Sequence, residues 1–169
     1  QIDAPDRRAK DGFRPNLVAR WKGQSLSGSV WILSHMDIVP PGDLSLWHSD
    51  PYTIKVEGEK IIGRGVEDNH HGILSSYLAL RAIKEERLKP ELNTGLVLVA
   101  DEETGSKYGL GYILEHYPHF FKKHDIIIVP DGGDDQGGMI EIAEKSMLWL
   151  KFIVVGRQCH ASTPHKGNN

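Results

Sequence analysis

Three apolar segments of this chain each stop at residues that can bind a metal. Segments that are apolar throughout are typical of strands covered on both faces, and helical patterns separate these three along the chain. They are residues 29–33 before His35, 94–100 before Asp101-Glu102-Glu103, and 125–129 before Asp131. In such sheets, ligands bind beyond the carboxyl ends of the strands. The sequence therefore predicts an α/β fold that gathers a histidine and several carboxylates at one edge of its sheet.

Local patterns predict the remaining elements. Strand patterns joined by turn residues indicate hairpins, and apolar residues at helical spacing indicate helices. The predicted elements are a hairpin of 16–21 with 29–33, a hairpin of 52–56 with 60–62, and helices over 72–88 and 108–117.

Composition narrows the classes of partner. The net charge of −3 comes from mixed acidic and basic residues, so nucleic acid is not an expected partner. The apolar runs are far shorter than a membrane span, and the single cysteine, Cys159, cannot form an internal disulfide. We therefore expect a cytoplasmic protein. The chain begins at Gln1 and stops at Asn169, directly after a loop, so we also expect an N-terminal portion of a longer protein.

The clustered carboxylates predict a metal site. Buried carboxylates must be paired, protonated or bound to cations, and the strand-end motifs contain no lysine or arginine; Arg64 is the nearest candidate. Imidazole and carboxylate ligands suit zinc, with manganese or cobalt as substitutes. His35 and Asp37 point to the same side of an extended chain, so Asp37 can hold the second ring nitrogen of a metal-bound His35.

The number of candidate ligands indicates two metals. One catalytic zinc needs three protein ligands, and this edge offers more. The candidates are His35, Asp68, Glu102, Glu103 and Asp131. Two ions together activate a water for hydrolysis, and a carboxylate that is not a ligand accepts its proton. Either Glu102 or Glu103 can do this while its neighbour binds metal.

Five motifs in order resemble one known family. The motifs are Ser34-His35-Met36-Asp37, Gly63-Arg64-Gly65 leading to Asp68-Asn69, Asp101-Glu102-Glu103-Thr104-Gly105, Pro130-Asp131-Gly132, and 156–164. They look like the co-catalytic zinc peptidase and deacylase family of aminoacylase, carnosinase, glutamate carboxypeptidase and succinyl-diaminopimelate desuccinylase. The resemblance extends from about Asn16 to the end of the chain.

The resemblance implies a domain plan. Residues 1–147 would be the first half of a three-layer αβα catalytic domain with a mixed, largely parallel, twisted sheet. Residues 148–169 would begin a smaller α+β lid domain, with 148–155 as its first strand. The lid often mediates dimerisation in this family, so the resemblance implies a homodimer.

The resemblance also implies roles for the site residues. Asp68 would bridge the two ions, and the peptide bond after it would be cis. His35 and Asp131 would complete one metal site. Glu103 would bind at the other, together with a histidine from beyond this chain.

Three further residues would act without binding metal. Glu102 would be the general base, and Asp37 would orient His35. His160 would reach the active site of the partner subunit and stabilise the oxyanion.

His70 and His71 follow Asp68 at a helix start, and we expect them to be structural or to face solvent.

These roles imply hydrolysis of an amide bond in a small peptide, as in a dipeptidase or carboxypeptidase. Within the resemblance, an aspartate at Asp131 favours a peptidase. The alternative is an N-acyl-amino-acid deacylase, such as a desuccinylase or an acetylornithine deacetylase. A third hypothesis is a non-catalytic binding module, which the complete set of site residues argues against.

Overall fold

The computed structural model describes residues 13–25, 27–134, 136–144, 148, 150–153 and 155–168. The chain separates into two compact units, Gln1–Met139 and Ile140–Asn169. The boundary predicted between residues 147 and 148 stays a prediction, because 145–147 and 149 lie outside the described residues. No helix in the described part of the chain is long and apolar enough to cross a membrane.

The described residues of the first unit form six strands and two longer helices. The strands are β1 Leu17–Trp21, β2 Ser29–His35, β3 Lys55–Glu57, β4 Lys60–Ile62, β5 Asn93–Val99 and β6 Ile126–Ile128. The helices are α1 His71–Glu85 and α2 Leu110–His116. Short 3₁₀ turns lie between them, and the turn Glu102–Thr104 follows β5.

Four strands form one mixed sheet in the order β1-β5-β2-β6. The central strand β2 runs parallel to both neighbours, with His35 opposite Val99 of β5 and Ile32 opposite Ile128 of β6. Strand β1 pairs antiparallel with β5. The predicted fold class, a mixed and largely parallel sheet with helices, is confirmed.

The predicted hairpin of residues 16–21 with 29–33 is wrong. Strand β5 lies between β1 and β2. The connecting segment hydrogen-bonds to residues just before β5, since Gln24 N–H donates to Pro90 O at 3.0 Å and Ser25 N–H to Glu91 O at 2.8 Å. The connection therefore crosses the start of β5, and the apolar β5 takes the central place.

The second hairpin and both helices are confirmed, although the first strand of the hairpin begins at Lys55 rather than at residue 52. Strands β3 and β4 pair antiparallel, and Gly58 between them has a φ of +59°. Helix α1 ends three residues earlier than predicted, before Arg87, whose φ is +54°. Helix α2 begins only after Gly109, where a Cβ atom would lie 1.9 Å from the carbonyl oxygen of Ala100.

The core lies where β2 and β5 meet α2. Its buried side chains are Trp31, Val97, Val99 and Ile113. Trp31 is fully buried, stacks edge-on against Phe121 at 5.2 Å, and donates from Nε1 to Asp125 Oδ2 at 2.9 Å. The indole nitrogen is thus satisfied inside the core, as a buried polar group must be.

The predicted burial of the last strand is wrong. The three isoleucines of β6 are 48–52% exposed. Among the described residues, β6 pairs only with β2 and forms an edge of the sheet. Its apolar run is therefore not covered by that part of the chain.

The second unit contains little regular structure among its described residues. Arg157 and Asn168 form an isolated antiparallel bridge, and Pro164–Lys166 is a 3₁₀ turn. A strand was predicted over 148–155, but its described residues, 148, 150–153 and 155, are not in one. A strand needs a hydrogen-bonded neighbour, and no described segment supplies one there.

Replacing Gly95 by alanine should destabilise the protein by about 1–3 kcal/mol, since overpacking a well-packed core costs this much. A Cβ atom there would lie 2.1 Å from Cε3 of the buried Trp31. Urea unfolding of the full protein measures the change. Gly133→Ala is the control, because its Cβ would meet nothing within 4 Å. Equal unfolding midpoints for both variants would contradict the packing described here.

Candidate metal centre

His35 is the last residue of β2 and is only 2% exposed. Met36 N–H donates to Val99 O at 2.8 Å, which extends the pairing of β2 with β5 by one residue. Because both strands end here, the imidazole lies beside the turn that carries Glu102 and Glu103.

The imidazole contacts carboxylates from two other elements. Its Nε2 lies 2.8 Å from Asp68 Oδ1 and 3.6 Å from Asp131 Oδ2. Ligand atoms of His35, Asp68 and Glu103 all lie within 4.8 Å of one another. The structure thus brings together the four residues that the resemblance implied as metal ligands.

Asp37 holds both the imidazole and the glutamate turn. His35 Nδ1–H donates to the carbonyl oxygen of Asp37 at 2.9 Å, whereas the Asp37 carboxylate lies 3.6 Å away. The sequence predicted the carboxylate in this place. Instead, that carboxylate accepts the backbone N–H groups of Glu102 at 3.0 Å and Glu103 at 3.1 Å.

Asn69 brings Asp68 and Asp131 together. Its fully buried amide donates from Nδ2 to Pro130 O at 2.8 Å and to Asp131 Oδ1 at 2.6 Å. Gly72 lets this contact form, because a Cβ atom there would lie 2.4 Å from Pro130 O. The start of α1 is therefore fastened to the loop after β6. The Asp68–Asn69 peptide is cis, as predicted.

The crowded charges shift several pKa values. Burial alone would lower the pKa of His35, but the carboxylate and carbonyl of Asp37, the charge of Asp131 and the hydrogen bond to Asp68 raise it to about 9. Burial would raise the pKa of Asp37, yet His35 and the N–H groups of Glu102 and Glu103 hold it below its usual value. The imidazolium of metal-free His35 is thus stabilised by its neighbours.

The two glutamates shift the other way. Burial, and then the charge of Asp131, raise the pKa of Glu102 against the opposing effect of His35. Burial, and then the charge of Asp68, raise the pKa of Glu103. Both side chains therefore hold a proton more readily than an ordinary glutamate does.

The residues present fit divalent metal ions. Glu103 Oε1 is buried and has no hydrogen-bond partner. Among the described residues, no lysine or arginine forms an ion pair with Asp68, Glu103 or Asp131. An imidazole and carboxylates that lack a protein cation are the donor set of zinc, manganese and cobalt sites.

Arg64 does not neutralise this cluster, contrary to the sequence-based suggestion. Its guanidinium lies 5.4 Å over the ring of Trp47, and its backbone N–H donates to Pro51 O at 2.7 Å. His70 Nε2 lies 3.2 Å from Met36 O, and His71 Nδ1 contacts Glu67 O. The contacts of both histidines are with the main chain, which fits a structural role.

His160 lies in the second unit and is exposed. Ser162 N–H donates to His160 Nδ1 at 3.2 Å, so Nδ1 is the acceptor nitrogen of a neutral ring. The proton then resides on Nε2. The implied role of His160 at the partner's active site stays a prediction.

Two residues that hold the site were not singled out in the sequence. Asn69 stands out in the sequence only as the neighbour of Asp68, and no sequence pattern points to Arg14. Arg14 pairs with Asp101, which is 87 residues away along the chain. Only the acidic residue at the end of β5, which needs a cation when buried, could have signalled such a partner.

Comparison with known proteins gives the family. Residues 31–161 match peptidase family M20/M25/M40. An uncharacterized metallohydrolase of Methanococcus maripaludis is 51% identical over 157 residues, or 92% of this chain and 38% of that protein. A succinyl-diaminopimelate desuccinylase of Paracoccus denitrificans is 31% identical over 157 residues, or 92% of this chain and 41% of that protein.

A solved structure shares the fold. Human carnosine dipeptidase 1 matches with a TM-score of 0.61 and 25% identity, over 70% of this chain and 26% of that one. The chain spans about two fifths of the length of the curated relatives described above. Since the family match covers most of the chain and includes His35, Asp68, Glu103 and Asp131, this chain belongs to peptidase family M20/M25/M40, a family of metal-dependent hydrolases.

Proposed function

We propose that the protein containing this chain is a two-metal hydrolase that cleaves an amide bond in a small peptide. The observation that carries the proposal is the convergence of His35, Asp68 and Glu103, whose ligand atoms lie within 4.8 Å of one another, next to Glu102. Asp131 lies within 3.6 Å of the same imidazole. Metal ligands with a base beside them are what hydrolysis of a stable bond needs.

Two zinc ions are the proposed cofactors, with cobalt or manganese as substitutes. Asp68 would touch both ions, His35 and Asp131 would hold one, and Glu103 the other, with a histidine from outside this chain. When bound, the ions lower the pKa of water and polarise the scissile carbonyl group.

The chain's own residues handle the proton and the geometry. Glu102 is proposed to accept the proton of the attacking water and to pass it to the leaving amine. Its raised pKa supports this role, because a base is most effective when its pKa is near the working pH. Asp37 keeps the Glu102 backbone in place, since its carboxylate accepts the Glu102 N–H group.

His160 is proposed to stabilise the oxyanion in the other subunit of a homodimer. Its Nε2–H can donate a hydrogen bond, because Nδ1 accepts one from Ser162. A donor of this kind contributes about 2.7–4 kcal/mol to transition-state stabilisation.

We also propose a cytoplasmic location.

The proposed substrate is a dipeptide or another short peptide. The aspartate at 131 and the similarity to a carnosine dipeptidase support this choice. N-acyl-amino-acid deacylation is the second candidate, since a desuccinylase is 31% identical to the chain. Residues outside this chain would distinguish the aminoacyl group of a peptide from the acyl group of an N-acyl amino acid.

A substrate panel tests these two candidates. The full protein, loaded in turn with zinc, manganese and cobalt, should hydrolyse dipeptides faster than N-succinyl or N-acetyl amino acids, measured as kcat/KM by amine release. A preference for the N-acyl substrates would replace the peptidase proposal with the deacylase proposal. Lack of hydrolysis with every metal and substrate would favour a binding module.

Substitutions of the adjacent glutamates should separate their roles. Glu102→Gln should lower kcat by about 10²–10⁴-fold and leave metal content unchanged, because it removes a base rather than a ligand. Glu103→Gln should lower metal content by about one ion per chain. Elemental analysis and steady-state kinetics provide the readouts.

The exposed Glu115 of α2 offers the control Glu115→Gln, which should match wild type in both readouts. If Glu102→Gln lost a metal while Glu103→Gln kept both, the assigned roles would be reversed. If Glu102→Gln kept full activity, the mechanism would be wrong.

Zinc affinity should depend on pH through His35. Zinc binding requires a neutral Nε2, and the raised pKa keeps this nitrogen protonated up to about pH 9. The apparent association constant should therefore rise about tenfold per pH unit from pH 7 and level off above about pH 9. Competition with a fluorescent chelator measures it.

Asp37→Asn is the matched variant, because it removes a carboxylate that raises the pKa of His35. It should move the levelling-off point to lower pH. An affinity that is already constant between pH 7 and pH 8 in the unsubstituted protein would show that His35 is neutral there.

A further inference from the structure

Arg14 is a buried arginine located just before β1. Its side chain is 6% exposed, and it forms an ion pair with Asp101, whose side chain is 4% exposed. Arg14 Nη1 also donates to Thr104 Oγ1 at 3.3 Å. Buried ion pairs are weak evidence for stability, because well-packed apolar residues often replace them at no cost. Such a pair can instead fix the geometry of the two chain segments that it joins.

Asp101 is the point at which the chain leaves β5. Its φ of +77° lies in the left-handed region, which is uncommon for residues other than glycine. Its carbonyl oxygen accepts Ser106 N–H at 2.6 Å, and its Oδ2 accepts Tyr108 N–H at 2.8 Å. The Thr104 hydroxyl donates to its Oδ1. The Asp101 side chain therefore closes the turn of residues 101–108 from within, and Arg14 supplies the counter-charge.

A second contact holds the same loop from the same N-terminal segment. Asn16 Oδ1 accepts Ala100 N–H at 3.0 Å, and Asn16 Nδ2 donates to Tyr108 O at 2.9 Å. Asn16 thus fastens both ends of the turn. Together, Arg14 and Asn16 hold the turn through residues 100, 101, 104 and 108, none of which is a proposed metal ligand.

Asp37 holds the same turn at its two glutamates. The Glu102 and Glu103 N–H groups donate to the two carboxylate oxygens of Asp37. Asp37 fixes only the backbone nitrogens of Glu102 and Glu103. The direction in which the chain enters Glu102 is set by the backbone of Asp101. A shift of Asp101 would move Glu102 and Glu103 together.

We propose that Arg14 is a positioning residue for hydrolysis, which acts through Asp101 to fix the turn that presents Glu102 and Glu103. The proposal rests on the proposed function, because the position of the turn affects the rate only if Glu102 is the base. A misplacement of about 1 Å can cost about 10²-fold in rate, and this sets the scale of the expected effect.

Three variants of the full protein separate position from stability. Arg14→Met combined with Asp101→Asn removes both charges and avoids the uncompensated buried carboxylate that Arg14→Met alone would leave. Arg14→Lys keeps the charge but loses the planar guanidinium group. Arg81→Ala is the control, because it removes an arginine–glutamate pair of 2.7 Å on the exposed surface of α1.

Hydrogen exchange of the metal-free protein and kinetics of the zinc-loaded protein are the two readouts. In the double variant, amides of residues 101–109 should exchange at least about tenfold faster, since local opening becomes easier. Its kcat should fall by about ten- to hundredfold while KM changes by less than about twofold. Arg14→Lys should retain most of the wild-type kcat, and Arg81→Ala should match wild type in both readouts.

Wild-type exchange in residues 101–109 of the double variant would overturn the proposal, and so would faster exchange with an unchanged kcat. The exchange measurement needs no activity. A different outcome is that the unsubstituted protein hydrolyses no substrate while the amides of residues 101–109 still exchange faster in the double variant. This combination would count against the proposed function, but not against the fixing of the turn by Arg14.

Discussion

Parallel pairing of β2 with β5 on one side and β6 on the other determines where the chemistry of this chain lies. Because the three strands run in the same direction, their carboxyl ends lie at one edge of the sheet. His35, the turn after β5 and the loop after β6 therefore meet without any long loop to carry them. The turn just before α1 adds Asp68, and the buried amide of Asn69 in the same turn contacts the loop that carries Asp131.

The same crowding divides the carboxylates into two kinds. Asp37 accepts two backbone N–H groups and lies near His35, so its pKa is held low and it stays ionised. Burial raises the pKa of both Glu102 and Glu103, and in Glu103 it outweighs a backbone hydrogen bond from Val39 that lowers the pKa. Carboxylates in one site whose pKa values move in opposite directions are suited to different tasks. Asp37 is suited to holding the site, whereas a glutamate with a raised pKa is suited to moving a proton.

Much of this centre could be predicted because its signals are local. Each strand end carries its own polar residue, so His35, Glu103 and Asp131 could be placed without knowing the order of the strands. The neighbours of β1 could not, because the polar segment before β2 is also compatible with a simple hairpin, and the competing partner β5 lies about 70 residues further on. Exposure of β6 was missed for a related reason: an apolar run does not reveal whether another element covers it.

Contacts between side chains that are far apart in the sequence could not be predicted either. Arg14 and Asp101 are 87 residues apart, and Asn69 contacts a loop 62 residues away. Neither contact leaves a periodic pattern or a short motif. The switch at Asp37 from carboxylate to carbonyl as the partner of His35 is a matter of side-chain rotation, which spacing along a strand does not specify.

The hydrogen bonds of Asp37 to the turn that carries Glu102 and Glu103 affect how such a site can change by mutation. Asp37 recognises the peptide groups of residues 102 and 103, and every residue except proline carries the N–H group that it needs. The frame of the turn is thus independent of the side chains mounted on it. A descendant could exchange its base or its ligand one at a time, and lose or alter its chemistry, while the surrounding architecture stayed intact.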